Sequence, residues 1–522
     1  MARPGRNGIL AALARSAVTS CCALCCTAGA VHARMLFVRA GAAAGGDGTV
    51  QAPFDSLGAV ERASAPGDVI IVMPAPLGVP PLDGGIALKP DQSLIGGGPP
   101  VNRAGAPAQA PRITNSDPRS HSGDAVVLAN GTEVRNLVIT KSFRGGIYGA
   151  DVSGVRIYGN NLSATNTSCT AGLYVYFPGD LPVLANGWAA IMIDERRGTA
   201  WLSVGNNYIH DGTCSDGIDI RATGTAEVQA RVSGNRLTRL AQGPGMRSVL
   251  ALGLQTRGHA VLSVDSDDDA ETRIGSLGAD CEGLFVNQTG GSLTWSIDHN
   301  RFAHGIGGGS CNGAEFFTDT GVTTTNLFIG HSTFEYDPGD MIEEDNGGGS
   351  GSVMNLTLLD VSVRHTSFPQ KLPPEPKFTD IQYMDNLGRC MDQYSWGHRN
   401  VNNPRIVDSR FFDCYGDGIR SDVTGGTYAF GYTAGRRARS AGNAAVGPQA
   451  KRRLRFFGAA PSDAGSPRLL GPSASPAWIA HCSSSCNCRR SWPICFSGGQ
   501  SPRLATALAV RPLIKVTTDL RT

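Results

Sequence analysis

The chain has little charge and few aromatic residues for its length. Charged residues make up 17% of its 522 residues, and aromatic residues make up 7%. The charge is also uneven: residues 431–522 carry 14 Lys and Arg against 2 Asp and Glu, whereas the first 430 residues carry 32 basic and 42 acidic residues. An acidic body with a basic tail that lacks interleaved aromatic residues argues against nucleic-acid binding.

Long apolar runs and two common motifs are missing as well. After the N-terminal 33 residues no run reaches the roughly 18–20 apolar residues that span a bilayer, so we expect no transmembrane span. The chain has no G-x-S-x-G motif, and its glycine-rich runs do not open a helix. These absences argue against a serine hydrolase and against a phosphate cradle.

Residues 1–33 have the pattern of a signal peptide. Arg3 and Arg6 precede a stretch rich in Ala, Leu and Cys, and small residues at Ala30 and Ala33 offer cleavage sites. The pattern predicts a secreted or periplasmic protein. The alternative is a lipoprotein leader that anchors the chain to the cell surface through Cys21.

Short apolar alternations that end in a polar corner residue recur through the body. The template is apolar-x-apolar-x-x-Asn-x-apolar, with Ser replacing Asn in its last two copies. The copies are separated by 47, 28, 65, 32 and 77 residues, close to one, two or three units of roughly 22–32 residues, which is the period range of a solenoid. One copy cannot bury its apolar face alone, so the copies must stack. The corner residues are Asn160, Asn207, Asn235, Asn300, Ser332 and Ser409.

The repeats predict two internal rows. Asn side chains at equivalent corners should hydrogen-bond along the axis, as identical side chains do in other in-register stacks. Phe302, Phe334 and Phe411 occupy the last apolar position of three copies and should form an interior aromatic row.

The N-terminal part of the body carries a resemblance to a known fold. The stretch APFDSLGAVERASAPGDVIIV, followed by GGIALKPDQSLIGGG, resembles the first coil of bacterial right-handed parallel β-helix proteins of the pectin-lyase-like type. The resemblance covers roughly residues 36–425 and implies an all-β solenoid over residues 36–427, of roughly ten coils. A short helix with Leu57, Val60 and Ala63 on one face would close its N-terminal end, with Asp55 or Ser56 as the N-cap. Residues 428–522 are expected to form a disordered basic tail.

Six cysteines lie in the body, and none of them has the C-x2-C spacing of a zinc site. An even number of cysteines in an exported chain predicts disulfides, with six isolated thiols as the alternative. The sequence leaves the pairing open. Adjacency of coils favours three pairs, Cys169–Cys214, Cys281–Cys311 and Cys390–Cys414.

A first candidate site lies in residues 210–221. Asp216 and Asp219 could act as general acid and base on a glycosidic bond, with Arg221 and His210 as substrate-binding groups. The stretch SDGIDIR is similar to the NTDGID segment of polygalacturonase-type glycosidases. His304, which we expect to be a further substrate-binding group, begins a segment similar to their GHG element. The next-coil Asp pair and the RIK-type element of that family are absent. The alternative is a structural Asp-Gly turn.

A second candidate site, which we prefer, lies in residues 337–345. Five carboxylates so close together repel one another unless a cation or a base balances them. We expect Asp340, Glu343 and Glu344 to be catalytic, with Glu315 in the preceding coil as a substrate-binding group. No cofactor is required, although Ca²⁺ suits such oxygen ligands. The alternative is a solvated acidic loop, and we expect the same for a third acidic stretch at residues 265–271.

Two functions follow from these observations. The first is a polysaccharide hydrolase or lyase that uses carboxylates on the solenoid face, with a hydrolase favoured because the body has few lysines beside acidic groups. The second is a non-catalytic protein that binds surface glycans or partners along its flat faces. Fold alone does not choose between them. We expect a monomer in either case.

Overall fold

The structure is a computed structural model that describes residues 33–433 except 176–183, 242, 244–247, 275–279, 307–310, 348, 368–387, 396–398, 416–417, 424–426 and 429–430. The expected leader and nearly all of the expected tail lie outside the described residues, and both stay predictions.

The body is a right-handed parallel β-helix, in which each coil pairs its strands with those of the next. The first coils show why: Val69–Val72 pairs in parallel with Met35–Val38 on one side and with Ser93–Gly96 on the other. Alternate residues of these strands are buried, so each strand packs one apolar face into a shared interior. The described strands run from Met35 to Thr433, which extends slightly beyond the expected residues 36–427.

The N-terminal coils contain one helix, α1, and the first nine strands. These elements are β1 (Met35–Val38), α1 (Leu57–Ala63), β2 (Val69–Val72), β3 (Ile86–Ala87), β4 (Ser93–Gly96), β5 (Arg112–Ile113), β6 (Val126–Val127), β7 (Glu133–Arg135), β8 (Val138–Thr140) and β9 (Ile147–Ala150). A single 3-10 turn covers His121–Gly123.

The middle coils contain the longest strands. Four of them continue around a corner of the coil, and each pairs with neighbouring strands both before and after that corner. The strands of the middle coils are β10 (Val155–Tyr158), β11 (Asn161–Ser163), β12 (Ala171–Val175), β13 (Leu184–Gly187), β14 (Ile191–Gly205), β15 (Tyr208–Gly212), β16 (Ile218–Ser233), β17 (Arg236–Leu240), β18 (Ser248–Asp267), β19 (Ala270–Thr272), β20 (Asp280–Asp298) and β21 (Arg301–Ala303).

The C-terminal coils continue the same ladders. Their strands are β22 (Cys311–Thr318), β23 (Thr323–Gly330), β24 (Thr333–Asp337), β25 (Ile342–Asn346), β26 (Val353–Leu359), β27 (Ser362–Thr366), β28 (Met391–Ser395), β29 (Val401–Val407), β30 (Arg410–Phe412), β31 (Ile419–Val423), β32 (Thr427–Tyr428) and β33 (Gly431–Thr433). Across the described residues the strands form one 23-stranded sheet and one 10-stranded sheet.

Helix α1 contacts β1 and β3 at the N-terminal end, as the sequence predicts. Ser56 is the N-cap, and Leu57 and Val60 are buried, whereas Ala63 is exposed and does not share their face. A helix at this end covers an open strand edge that would otherwise pair with other chains.

The predicted Asn row is confirmed. Asn160 donates from Nδ2 to Asn207 Oδ1 at 3.1 Å, and Asn207 donates to Asn235 Oδ1 at 3.0 Å. The row continues to Asp269, whose backbone N–H donates to Asn300 Oδ1 at 3.1 Å. The side-chain amides of Asn160, Asn207 and Asn235 each donate a hydrogen bond to the buried corner residue of the next coil. Buried polar groups need such partners, so the row fixes the register between coils.

The row corrects two expectations about residues 155–302. The 47-residue gap between the first two copies is one coil, because β10 pairs directly with β14 and the hairpin of β12 and β13 is inserted between them. The 65-residue gap contains an unrecognised copy in residues 264–271, with Asp269 at the corner position. The expected solvated loop at residues 265–271 is therefore wrong for Asp269 and Glu271, which are buried.

The interior holds most of the expected aromatic row. Phe302 and Phe334 are in register and buried, while Phe411 lies two coils further on, beyond Val363, and is half-buried. All three favoured disulfides are formed, as Cys169–Cys214, Cys281–Cys311 and Cys390–Cys414. In the described part of the chain, no helix has the length and apolar character needed to cross a membrane.

Candidate active site

Three carboxylates lie side by side on the ladder of β22, β25 and β28. Glu315 is in register with Glu343, and Glu343 is in register with Asp392. Neighbouring strands lie about 4.8 Å apart, so one rung separates each acid from the next. We call Glu315, Glu343 and Asp392 the acid row.

The period of the strand explains why the acid row faces outward. Ala314 and Ile342, which directly precede two of the acids, belong to the apolar core of the solenoid, as does Met391 before the third. Successive side chains of a strand point to opposite faces, so an acid that follows a core residue stands on the outer face.

One amide holds two members of the acid row together. Asn312 donates from Nδ2 to Glu315 Oε2 at 3.1 Å and to Glu343 Oε2 at 2.6 Å. The two carboxyl oxygens therefore lie less than about 6 Å apart. This upper limit admits the roughly 5–5.5 Å between the two carboxyl groups of a retaining glycosidase and excludes the roughly 6.5–9.5 Å of an inverting pair for these two oxygens.

The third member is paired with cations. Arg389 Nη1 lies 2.6 Å from Asp392 Oδ2 and 3.0 Å from Asp340 Oδ2, and its backbone N–H also donates to Asp340. Arg420 Nη1 lies 3.6 Å from the same Asp392 oxygen. These ion pairs stabilise the carboxylate form of Asp392.

The pKa of the middle member, Glu343, is raised by burial and by neighbouring charges. Burial raises the pKa of Glu343 well above its usual range, and the charges of Asp345, Glu315, Asp340 and Asp392 raise this pKa further. Burial also raises the pKa of Asp340 to about 7, although the nearby guanidinium of Arg389 lowers this pKa. An acid whose pKa is raised and which stands between two further carboxyl groups suits general acid catalysis.

The acid row reaches solvent through half-buried groups. Glu343, Asp345, Tyr394 and Arg420 are all partly exposed, whereas Glu315 and Asp392 are 7% and 2% exposed. Phe285 is in register with Glu315 on the preceding strand and is buried outside the apolar core. The acid row thus runs from an apolar end at Phe285 to a cationic end at Arg420.

Of the residues predicted in the second site, three come together and one does not. Asp340, Glu343 and Glu315 belong to the same network. Glu344 points into the solenoid, where it is fully buried, accepts a hydrogen bond from Gln393, and has a pKa raised to about 8 by burial. Because Glu344 is adjacent to Glu343 in a strand, it cannot share the outer face, and we do not retain it as a candidate catalytic group.

The two acids of the first site are buried together three coils earlier on the same ladder. Both are 0% exposed, and Asp216 accepts hydrogen bonds from the backbone of Leu250 at 2.9 Å and from Asn186. Burial raises the pKa of both Asp216 and Asp219 well above the usual range, and the charge of Asp216 adds to the increase at Asp219. Arg221 donates to Gln255 Oε1 at 2.8 Å. With both acids sealed from solvent, a structural role fits this cluster.

The two histidines predicted to bind substrate lie on the 10-stranded sheet or just after its strands, away from both acid clusters. His210 stacks on Tyr208 at 4.3 Å and its ring nitrogens contact Asp211 and Asn161. His304 stacks on Tyr336 with ring centroids 4.8 Å apart, and Tyr336 stacks on His365 at 4.7 Å. We call His304, Tyr336 and His365 the aromatic stack; Tyr336 is 45% exposed.

The five carboxylates of residues 337–345 do not gather around one point. Asp337 and Glu344 are buried, Asp340 pairs with Arg389, and Glu343 and Asp345 stand on the outer face. Ca²⁺ binding in this segment stays a prediction.

Sequence reasoning missed Asn312, Arg389, Asp392 and Arg420. One signal could have found Asp392, because Ala314-Glu315, Ile342-Glu343 and Met391-Asp392 each place an acid directly after a core residue in consecutive coils. The arginines carry no such signal, since their partners depend on register between distant segments.

Comparisons with known proteins give weak similarity. No family model and no curated protein matches the chain. Among solved structures, a mutant of DFA-IIIase from Arthrobacter chlorophenolicus A6 in complex with DFA-III is 12% identical with a TM-score of 0.34, covering 72% of this chain and 80% of that one. The same enzyme without its lid, in complex with GF2, also gives 0.34 at 12% identity, covering 72% and 92%. GH136 lacto-N-biosidase from Eubacterium ramulus gives 0.26 at 13% identity, covering 77% and 68%. At these TM-scores the similarities carry no functional argument.

Proposed function

We propose that the protein is an exported glycoside hydrolase that cleaves a polysaccharide at the acid row. One observation carries the proposal: Glu315 and Glu343 are in register on the outer face and share the amide of Asn312. The raised pKa of Glu343 supports its assignment as the general acid. Glu315, whose charge helps to raise that pKa, is assigned as the nucleophile.

The reaction that fits this spacing has two steps. In the first, a Glu315 oxygen bonds to the anomeric carbon while the bond to the leaving oxygen breaks, and that oxygen takes the proton of Glu343. In the second, a water molecule gives a proton to Glu343 and its oxygen to the anomeric carbon, which releases Glu315. A one-rung separation supports this double displacement with retention of configuration, because an inverting pair needs roughly 6.5–9.5 Å to admit the water.

Asp392 and its arginines act on this pair through charge. Arg389 fixes both Asp340 and Asp392 next to Glu343, so we assign it as a positioning residue. The half-exposed guanidinium of Arg420 at the edge of the acid row favours an acidic or highly hydroxylated sugar there.

Export and a pectin-lyase-like relationship belong to the same proposal. Three disulfides support an oxidising compartment, as does the signal-like pattern of residues 1–33. The solenoid with its N-terminal helix supports the pectin-lyase-like relationship that the first coil suggests. We propose that no cofactor takes part and that the protein acts as a monomer.

A screen of the purified protein against acidic and neutral polysaccharides tests the function. Reducing-end products without unsaturated sugars are expected, and Glu343→Gln should lower turnover by about 10²–10⁴-fold, the usual contribution of a general acid. Asp360→Asn is the control, since Asp360 is an exposed acid at a left-handed corner that pairs with Arg410 and lies outside the acid row. Unsaturated products would show that the reaction is a lyase reaction and not hydrolysis. Equal turnover of Glu343→Gln and wild type would show that Glu343 is not the general acid.

The aromatic stack favours a second candidate function, glycan binding without catalysis. His304, Tyr336 and His365 follow one another on three coils, each with a left-handed φ of 59–61°, and their rings form a nearly parallel column. Exposed rings in a row offer a surface on which sugar rings can pack. Loss of polysaccharide binding in Tyr336→Ala, in a protein that cleaves none of the polymers tested, would favour this function over hydrolysis.

A further inference from the structure

Two histidines and two aspartates converge at a corner of the solenoid away from the acid row. Asp298 ends β20, His299 follows it, and His331 follows β23 in the next coil. Asp267, at the end of β18, is in register with Asp298. We call these four residues the histidine corner.

The distances bring three donor groups close together, with Asp267 beside one of them. His331 Nδ1 lies 2.8 Å from Asp298 Oδ1, while His299 Nδ1 lies 3.5 Å from Asp298 Oδ2 and 3.5 Å from Asp267 Oδ1. One ligand atom from each of Asp298, His299 and His331 can be chosen so that all three lie within 4.8 Å of one another. Donor atoms around a tetrahedral Zn²⁺, with bonds of about 2.0–2.2 Å, stand roughly 3.3–3.5 Å apart. The two distances of 3.5 Å from His299 Nδ1, to Asp298 Oδ2 and to Asp267 Oδ1, match this spacing, whereas His331 Nδ1 stands at hydrogen-bond distance from Asp298 Oδ1.

The repeat itself fixes the two imidazoles. His299 and His331 occupy equivalent corners with left-handed φ angles of 52° and 45°, and their rings stack with centroids 5.0 Å apart and planes at 18°. The backbone N–H of His299 donates to Gly330 O at 3.1 Å, which ties the two corners together. The two histidines are therefore carried by adjacent corners whose backbones are hydrogen-bonded to each other.

A glycine keeps the point open. Gly330 is in register with Asp298, and a Cβ at this position would stand 2.7 Å from Asp298 Oδ1. Any side chain there would displace the carboxylate that both histidines face. The rings of His299 and His331 are 59% and 44% exposed, so an ion can enter from solvent.

The charge of the histidine corner also favours a cation. Among the described residues, the ion-pair partners of Asp267 and Asp298 are these histidines, with neither a lysine nor an arginine beside them. Neutral imidazole with carboxylate is the donor set of zinc, nickel and copper, whereas calcium and magnesium take oxygen ligands.

We propose that the histidine corner binds one divalent transition-metal ion of the zinc class and clamps adjacent coils of the solenoid together. An ion bound only by the folded chain raises its stability by mass action. The site lies on a different ladder from the acid row, so its failure would leave the proposed hydrolysis unaffected.

Calorimetric titration of the full-length protein with Zn²⁺ tests this proposal. The protein is stripped with a chelator and its free thiols are alkylated first, because cysteines of the leader and tail would otherwise bind zinc. One Zn²⁺ per chain is expected, Ca²⁺ should not compete with it, and Zn²⁺ should raise the melting temperature. His299→Ala, His331→Ala and Asp298→Asn should each weaken binding at least tenfold.

The matched control is His304→Ala, which removes an exposed stacked histidine with the same backbone conformation and should leave zinc affinity unchanged. Absence of Zn²⁺ binding by the alkylated wild type would overturn the proposal, as would folded His299→Ala and His331→Ala proteins that bind like wild type. If either alanine variant does not fold, Asp298→Asn decides by the same criterion.

Discussion

Glu271 is a buried acid whose replacement should make the protein more stable. It lies in the core, in register between Leu237 and Phe302, at a position that other coils fill with an apolar side chain. Its exposed fraction is 0%, and neither carboxyl oxygen has a hydrogen-bond partner among the described residues. Burial raises its pKa well above the usual range, and the charge of Asp269 raises this pKa further.

We expect Glu271→Leu to increase the free energy of unfolding by about 2–4 kcal/mol near pH 7. An unsatisfied buried polar group costs about 1–3 kcal/mol, and burying a leucine side chain contributes about 1.5–3 kcal/mol. Part of the sum is lost because leucine does not have the shape of glutamate, and a shape change in a packed core costs up to about 1.5 kcal/mol.

The gain should depend on pH with a defined sign. The folded state keeps the proton of Glu271, whereas the unfolded state loses it above a pKa of about 4.3. Stability contributed by this protonation is therefore complete below about pH 4.3 and is lost as the pH rises toward the raised pKa of the folded state. The loss amounts to at most about 3.7 kcal/mol by pH 7. The advantage of Glu271→Leu over wild type should accordingly grow between pH 5 and pH 8.

Urea unfolding of wild type and variant at pH 5 and pH 8, followed by circular dichroism, measures this difference. Glu335→Leu is the matched control, because Glu335 is also buried but is paired with Arg301 at 2.7 Å and with Arg364. Burial raises the pKa of Glu335, but the hydrogen bonds and charges of the two arginines outweigh burial, so that the pKa is lowered. That variant should be less stable than wild type. The reasoning is refuted if Glu271→Leu is no more stable than wild type at pH 8, or if its advantage shrinks as the pH rises.

Three further predictions concern the acid row and the solenoid. Hydrolysis needs the proton of Glu343, whose pKa is raised by burial and by the neighbouring carboxylates; the fall of kcat/KM with rising pH should therefore lie well above about pH 4.3, the ordinary value for glutamate, and a fall on raising the pH through about 4.3 would contradict this. Replacing Cys390 and Cys414 together by serine should lower the free energy of unfolding by about 2–4 kcal/mol relative to the oxidised wild type, measured by urea unfolding, and a variant as stable as the oxidised wild type would contradict this. Chelation with EDTA should leave turnover unchanged, and recovery of lost turnover by Ca²⁺ alone would instead place calcium in the reaction.

The fold could be predicted from the sequence because each coil carries its own local pattern of apolar and polar residues. Each corner Asn sits at a fixed distance from its flanking apolar residues, so a copy is recognisable without knowledge of its neighbours. Recognition failed where a coil replaced these residue types, with Asp269 at the corner and Glu271 in the core, and where the hairpin of β12 and β13 lengthened a coil.

The candidate site was only half predictable for a related reason. Acidic density pointed to residues 337–345, and the preceding coil supplied Glu315. The density of acidic residues could not distinguish Glu343 from Glu344. The two differ because successive side chains of a strand point to opposite faces, so Glu343 lies on the outer face and Glu344 in the interior. Arg389 and Asp392 reach the site through register across a long insertion, and register between distant segments depends on the packed solenoid as a whole.

Trapping of a covalent intermediate tests the pairing of Glu315 with Glu343 most directly. Glu343→Gln protein is mixed with an activated aryl glycoside of the sugar found in the polysaccharide screen, and its peptides are analysed by mass spectrometry. A leaving group that needs no protonation allows the first step, while the second step lacks its base, so a glycosyl adduct should accumulate on Glu315. An adduct on Asp392, or full turnover without any adduct, would contradict the assignment.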